Sequence, residues 1–416
     1  MQSRRRPPVG SREPNGEEGA HLANGRCSFC GLRRSEVSAL VVGMRGVAIC
    51  TACAAIAART EDERAAATEI VYSELGAVIT NDPRAGSDFG RIEHASIVVR
   101  GDHIAWLGRT SELPARYEPY PVVHCGGRIA VPGFVDAGTE PVGDLPTSRP
   151  DPDWLISRVS TQIRNGLIHG VTSVDLRVGG TGDPTIDTVL LAAGRAGAEV
   201  MDTASVAITW VASDRFDLDQ LDGVMAPTVG RIASSVEMRC DGSETATWLR
   251  ERLQCLRRLP VRVRMCSAWP EACAPLAEGA RSVEASDWSL LPPESTPVVE
   301  PIAMLDGRPL DGRALWDAGG RPGIATRSNP DGRVVNGLTL AMSLLVTMGG
   351  LEVEEALWSA TRGGARALGD DERGRLRMGD PADFLVLDTD VLADLVRRPD
   401  TNPVWRVVAG GQESPE

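Results

Sequence analysis

Four cysteines stand in two pairs, Cys27-x2-Cys30 and Cys50-x2-Cys53, with nineteen residues between the pairs. Each pair forms a knuckle whose thiolates point at one ion, and four thiolates complete the tetrahedron that zinc prefers. The spacing predicts one structural zinc per chain, because four protein ligands leave no coordination position open. A segment this short has little core of its own, so metal binding worth roughly 10–16 kcal/mol is what folds it. The other five cysteines, Cys125, Cys240, Cys255, Cys266 and Cys273, are scattered, which suits thiols rather than a disulfide framework.

All 44 basic residues are arginine. With no lysine the chain can form no lysine Schiff base, no carbamylated lysine bridging two metals and no Gly-x4-Gly-Lys phosphate loop. The only histidines are His21, His94, His103, His124 and His169. Imidazole ligands are therefore absent from the entire chain beyond residue 169.

Two resemblances give these residues a context. Cys27-Ser28-Phe29-Cys30-Gly31, Leu40-Val41-Val42-Gly43 and Ile49-Cys50-Thr51-Ala52-Cys53 are similar to the N-terminal zinc-binding domain of the unfoldase ClpX. That likeness implies a module that dimerises or captures a protein partner; no ATPase follows it here. Val131-Pro132-Gly133-Phe134-Val135-Asp136-Ala137-Gly138-Thr139-Glu140 resembles the first barrel strand of the amidohydrolase superfamily, P-G-F-V-D-x-H-x-H. Gly374–Asp388 resembles the strand pair by which such chains complete a small second domain. Gly323-Ile324-Ala325-Thr326-Arg327-Ser328-Asn329-Pro330 and Thr401-Asn402-Pro403-Val404 resemble segments of imidazolonepropionases.

The amidohydrolase likeness implies a metal that lowers the pKa of water from about 15.7 toward 7, held by histidines and one aspartate at the top of a barrel. This chain departs from that pattern at each position. Gly138 and Glu140 replace the two histidines of the first strand, beside Asp136. Cys266 falls where a later strand ends in histidine, and Ala285 in Ser282-Val283-Glu284-Ala285 replaces another. Arg177 stands where imidazolonepropionases carry a lysine, and Arg327 stands at the catalytic aspartate. A guanidinium cannot act as a base at neutral pH and repels a dication. Asp136, Gly138, Glu140, Arg177, Cys266, Ala285 and Arg327 thus read as a vestigial site with no catalytic residue assigned. Unpaired charges there are costly, so Arg327 is expected to pair with Glu140 or Asp136. Cys266 lacks an activating histidine and reads as packing rather than nucleophile.

The elements that hold these residues follow from the local pattern. Ser96–Arg100 and His103–Leu107 flank Gly101-Asp102 as a hairpin, and Val122–His124 and Arg128–Val131 add strands. Helices over Asp153–Asn165, Thr185–Ala196 and Thr245–Arg258 precede strands over Gly170–Leu176, Glu199–Ala207 and Val261–Met265, and a helix covers Glu352–Leu368. His169, ahead of its strand, belongs at the barrel's bottom. The expected fold class is α/β: a (β/α)8 TIM-like barrel over 133–370, a small composite β-sandwich from 70–132 plus 371–412, a four-cysteine zinc finger at 26–60, a helical connector at 61–70 and a disordered tail at 1–25.

A net charge of −13 disfavours nucleic acid and anionic membrane as partners, and Arg26, Arg33, Arg34, Arg45 and Arg59 around the finger read as a solvated face. No apolar run follows Arg4-Arg5-Arg6, so the default location is the cytoplasm. The expectation is a non-catalytic amidohydrolase-like protein. Its finger would recruit a partner or a second copy, and its barrel would bind a small-molecule ligand. The alternative is a hydrolase of cyclic amide C–N bonds, its metal held by Asp136, Glu140, Cys266 and Asp175.

Overall fold

The computed structural model describes residues 69–143, 151–179, 186–212, 232–240, 246–256, 262–267, 280–285 and 295–414, with 27, 34, 39–42, 48–51 and 54 nearer the N-terminus. The chain divides into two compact units, Met1–Ala58 and Arg59–Glu416. The expected tail at 1–25 and the helical connector over 61–68 lie outside the described residues.

In the first unit β1 (Leu40–Val42) and β2 (Ala48–Cys50) pair antiparallel, with Leu40 opposite Cys50. Cys27 and Cys50 are both buried.

The second unit begins with β3 (Glu69–Ile79), β4 (Arg91–Arg100) and β5 (His103–Arg109), antiparallel neighbours of which the last two are joined through the tight Gly101-Asp102 turn. Next come β6 (Val122–His124) and β7 (Ile129–Pro132), which run parallel to β3 on its other edge. A bulge between Tyr72 and Leu75, with Glu74 at φ 58°, bends β3. Its first half therefore pairs with β6 and its second half with β7.

Eight parallel strands follow in sequence order: β8 (Phe134–Thr139), β9 (Val171–Gly179), β10 (Ser205–Ala212), β11 (Ser235–Cys240), β12 (Arg262–Ser267), β13 (Ser282–Ala285), β14 (Thr296–Val299) and β15 (Gly323–Ile324). The backbone amide of Arg327 donates to Gly138 O at 2.9 Å, and that of Glu140 to Ser328 O at 2.9 Å. Those two bonds join the segment after β15 to β8, so the sheet's two edges meet. The expected strand over Glu199–Ala207 begins later, at Ser205, because the helix before it continues from Ile186 to Val200.

Crossover helices cover the strands by amphipathic spacing. Helix Pro152–Ile168 starts on Asp151, whose carboxylate accepts from Asp153 N, with Pro152 in the first turn where no amide partner is needed. Its buried Leu155, Val159, Ile163 and Leu167 repeat every four residues and join the main core. His169 ends this helix, its Nδ1 2.8 Å from Asn165 O, before β9 starts. The single helix expected over Glu352–Leu368 is interrupted. Glu352 and Glu355 form a capping box for Val353–Trp358, a π-helical turn covers Ser359–Gly363, and Gly364–Leu368 resumes the α-helix. Ser359 and Thr361 hydroxyls donate back to Glu355 O and Leu357 O, which loosens the ladder there.

The chain then returns to the first sheet as β16 (Phe384–Leu387), β17 (Val404–Ala409) and β18 (Gln412–Glu413). Gly374–Asp388 contributes one strand rather than a pair, since its first half turns through Gly374 and Gly379, both at positive φ. β16 inserts between β7 and β17, so the expected sandwich is hydrogen bonded as one continuous sheet. Tyr72, Ile97, Phe384 and Val408 fill its own core, with Tyr72 edge-on to Phe384 at 5.0 Å.

Candidate functional site

The strand ends of the parallel sheet carry a cluster of charges. Period-two alternation puts Asp175 and Arg177 of β9 on one face. Register then places Arg177 beside Thr209 of β10, and Glu237 of β11 lies one strand further on. The Arg177 guanidinium is paired through Nη2 with Glu237, both side chains being almost fully buried, and through Nη1 with Glu284 Oε2 at 3.0 Å. Arg327 donates through Nη1 to Glu140 Oε1 at 2.8 Å and through Nη2 to Glu284 Oε2 at 2.7 Å. One carboxylate oxygen of Glu284 is thus shared by two guanidiniums.

Asp136 is not the partner of Arg327. Its carboxylate accepts from the Gly138 amide at 3.0 Å, the Thr326 amide at 3.0 Å and the Thr326 hydroxyl at 2.5 Å. Asp175 accepts from the Thr209 hydroxyl at 2.7 Å. Both acids are buried. Arg327 holds its position with φ at 52°, a left-handed conformation that a side chain of this size adopts at an energetic cost of order 1–3 kcal/mol.

Gly138 follows from the same cluster. A Cβ built on it would lie 2.7 Å from Cδ and 3.1 Å from Nη1 of Arg177. Since Arg177 is held at both ends of its guanidinium, it cannot withdraw cheaply. The room in which a ligand side chain would sit at 138 is filled by Arg177.

The electrostatics are those of a closed network. Burial opposes ionisation of Glu284, but the Arg327 and Arg177 guanidiniums override it and hold its carboxyl down, to about 2. Burial raises Asp136, against its hydrogen bonds to Thr326 and Gly138. Burial and then the charge of Glu284 raise Glu300, which follows β14. A divalent ion does not fit these residues. Position 138 offers no donor, Glu140 and Glu284 are engaged by Arg327, and two fixed cations face the place where a dication would sit.

Cys266 lies in β12 opposite Glu284 of β13, and Ala285 ends β13. The structure brings Gly138, Glu140, Arg177 and Arg327 together. Glu237, Glu284, Glu300 and Thr326 are members that sequence reasoning did not assign to the cluster. The signal for the first two was a lone acid inside an apolar strand, Val236-Glu237-Met238 and Val283-Glu284.

In the first unit the amide of Cys50 donates to Cys27 Sγ at 3.2 Å. Two buried sulfurs with an amide directed at one of them suit thiolates of a zinc knuckle. Cys30 and Cys53, the other two of the four expected ligands, lie outside the described residues.

Comparison with known proteins agrees with both resemblances. The ClpX C4-type zinc finger family matches residues 25–62, and the Amidohydrolase family matches residues 324–414. Among solved structures, Aspergillus niger ochratoxinase superposes with a TM-score of 0.65 at 16% identity, covering 83% of this chain and 95% of that one. An atrazine chlorohydrolase from Arthrobacter aurescens, complexed with zinc and atraton, superposes at 0.59 with 18% identity, covering 83% and 94%. The second unit therefore shares an α/β fold with these two solved structures. In sequence, the chain is 27% identical over 387 residues to the imidazolonepropionase of Cutibacterium acnes, covering 82% of this chain and 96% of that enzyme. It is 28% identical over 397 residues to that of Streptomyces coelicolor, covering 81% and 97%. The chain is thus similar to imidazolonepropionases along most of its length, with a match to the Amidohydrolase family near its C-terminus and to the ClpX-type zinc finger near its N-terminus. Among the described residues no helix is long and apolar enough to cross a membrane.

Proposed function

We propose that the amidohydrolase-type domain has exchanged its metal centre for an internal ion-pair network and acts by binding rather than by hydrolysis. One observation carries this reading: Arg327 is shared between Glu140 and Glu284 at the position where the amidohydrolase resemblance sets an aspartate. Generating hydroxide at neutral pH needs a Lewis acid or a base, and a guanidinium is neither. The eight parallel strands, tied first to last, are read as the (β/α)8 barrel of residues 133–370. Residues 70–132 with 371–412 are read as the composite sheet domain, and 26–60 as the finger.

The finger supplies the second half of the proposal. It holds one structural zinc on Cys27, Cys30, Cys50 and Cys53 and recruits a protein partner or a second copy of the chain. Reduced thiolates of this kind belong in a reducing compartment, the cytoplasm.

The similarity to imidazolonepropionases along most of the chain favours a second reading, hydrolysis of a cyclic amide. Assay of the full chain with imidazolone propionate, with and without added zinc or manganese, separates the two. The proposal expects no turnover above the buffer rate. Turnover that a chelator abolishes and added metal restores overturns it.

A further inference from the structure

The parallel sheet is joined strand to strand by ladders except at one seam. Each neighbouring pair from β8 to β15 has its own register. Among the described residues no ladder joins β15 back to β8. β15 spans two residues, Gly323–Ile324, and the segment after it crosses to β8 through single bonds, Arg327 N to Gly138 O and Glu140 N to Ser328 O.

Asp136 bridges this seam. Its Oδ1 accepts from the amide of Gly138, in its own strand, and from the amide of Thr326 across the seam, each at 3.0 Å. Its Oδ2 accepts from the Thr326 hydroxyl at 2.5 Å. That hydroxyl in turn accepts from the Ser328 amide at 3.2 Å. A carboxylate 5% exposed is costly to bury, and the three donors that offset the cost all come from the two sides of the seam.

Arg327 is the residue these bonds enclose. Its own amide is tied to Gly138 O, the side chain before it to Asp136, and the amide after it to the Thr326 hydroxyl. Between them the backbone is fixed at φ 52°, where an arginine rests only when its surroundings impose it. The turn sets the direction of the Arg327 side chain, and so where its guanidinium arrives between Glu140 and Glu284. Ser328 is held separately. Its carbonyl accepts from the Thr139 hydroxyl at 3.1 Å, and its hydroxyl accepts from the Val335 amide and from Gln162, each at 3.0 Å. Cutting the Asp136 clasp would therefore free Arg327 without releasing the segment from the sheet.

We propose that Asp136 is a positioning residue: through Thr326 it holds Arg327 in the left-handed conformation that lets one guanidinium span Glu140 and Glu284. The role rests on the ion-pair reading of the site, not on the absence of hydrolysis.

Double-mutant cycles at neutral pH test it, with Arg327→Met and Glu140→Gln read by urea unfolding of the full chain. The coupling between Arg327 and Glu140 is measured in the parent chain, in Thr326→Val and in Thr326→Ser. Valine keeps the shape of threonine but neither donates to Asp136 nor accepts from Ser328. The coupling is expected in the parent, lost in Thr326→Val and restored in Thr326→Ser. A role confined to stability lowers all four chains of the valine cycle alike and leaves the coupling at its parent size, which overturns the proposal. Equal loss in the serine cycle, where the hydroxyl is kept, overturns it as well. An absent coupling in the parent overturns the ion-pair reading together with the clasp, whereas a parent coupling that survives Thr326→Val overturns the clasp alone. If a valine chain fails to fold, Asp136→Asn carries the same cycle and decides, since it keeps one oxygen for the two amides and loses the acceptor for the hydroxyl.

Discussion

Arg327 and Glu140 meet through Nη1 and Oε1 at 2.8 Å, across 187 residues of sequence, with both side chains mostly withdrawn from water. The same guanidinium reaches Glu284 at 2.7 Å. Arg177 completes the set by filling the space over Gly138. Gly138, Glu140, Arg177, Glu284 and Arg327 are one coupled arrangement, because each residue occupies or neutralises what the others leave.

Arg327→Met should destabilise the second unit by about 3 kcal/mol, the low end for removing one partner of a buried ion pair. Urea unfolding measures it. Glu140→Gln in the same background should cost less than it does in the wild type, since its partner is already gone. Strict additivity of the two losses would contradict the pairing.

Glu284 sets an acid limb to stability. Its folded carboxyl, held at about 2, lies below the ordinary 4.5, so its contribution is complete above pH 4.5 and is lost as pH falls toward 2. Glu300 works the other way: its carboxyl is raised, so ionising it as pH climbs past the ordinary range weakens the fold. Glu284→Gln is expected to flatten the fall in urea midpoint between pH 4.5 and 2. An unchanged slope in that window would count against the two-arginine clamp.

Gly138→Ala tests the crowding over that residue directly. Its methyl group meets Arg177 Cδ at 2.7 Å, so overpacking of about 1–3 kcal/mol is expected. Gly138→Ala combined with Arg177→Ala removes the clash but leaves Glu237 buried without its cation, and should be less stable still. A neutral single variant would mean Arg177 is freer than its ion pairs imply.

Cys50→Ser removes a sulfur at the strand end whose amide is bonded to Cys27. Zinc content should fall to background, because the metal's binding energy of roughly 10–16 kcal/mol is what folds such a module. The calorimetric transition of residues 59–416 should be unmoved, as these residues form a compact unit of their own. A shift in that transition would place the metal's role elsewhere.

Much of this arrangement is legible in the sequence. The knuckle spacing singled out Cys27 and Cys50, which are both buried, and the motif around Asp136 marked the first strand of the parallel sheet. Arg327 needed an acid partner on charge grounds alone, and the two candidates considered were Glu140 and Asp136. What could not be read was which acid it would choose. Thr326 is the neighbour that takes Asp136, a hydroxyl next to Arg327 in sequence whose direction only the folded turn fixes. Glu237 and Glu284 each stand out as a lone acid in an apolar strand, but the partner of each lies one or more strands away, which the local pattern does not show. The interrupted helix at Ser359–Gly363 was likewise hidden, since the apolar pattern runs through it and only the hydroxyl back-bonds break the ladder.

The central claim is that guanidiniums stand where the relatives' likeness calls for a metal. Metal analysis of the purified full chain, after dialysis against zinc-containing buffer and then metal-free buffer, tests it most directly. The account predicts one zinc per chain, absent from the Cys27→Ser variant. A second equivalent that survives in that variant, and is lost on changing Glu140 or Asp136, would contradict it.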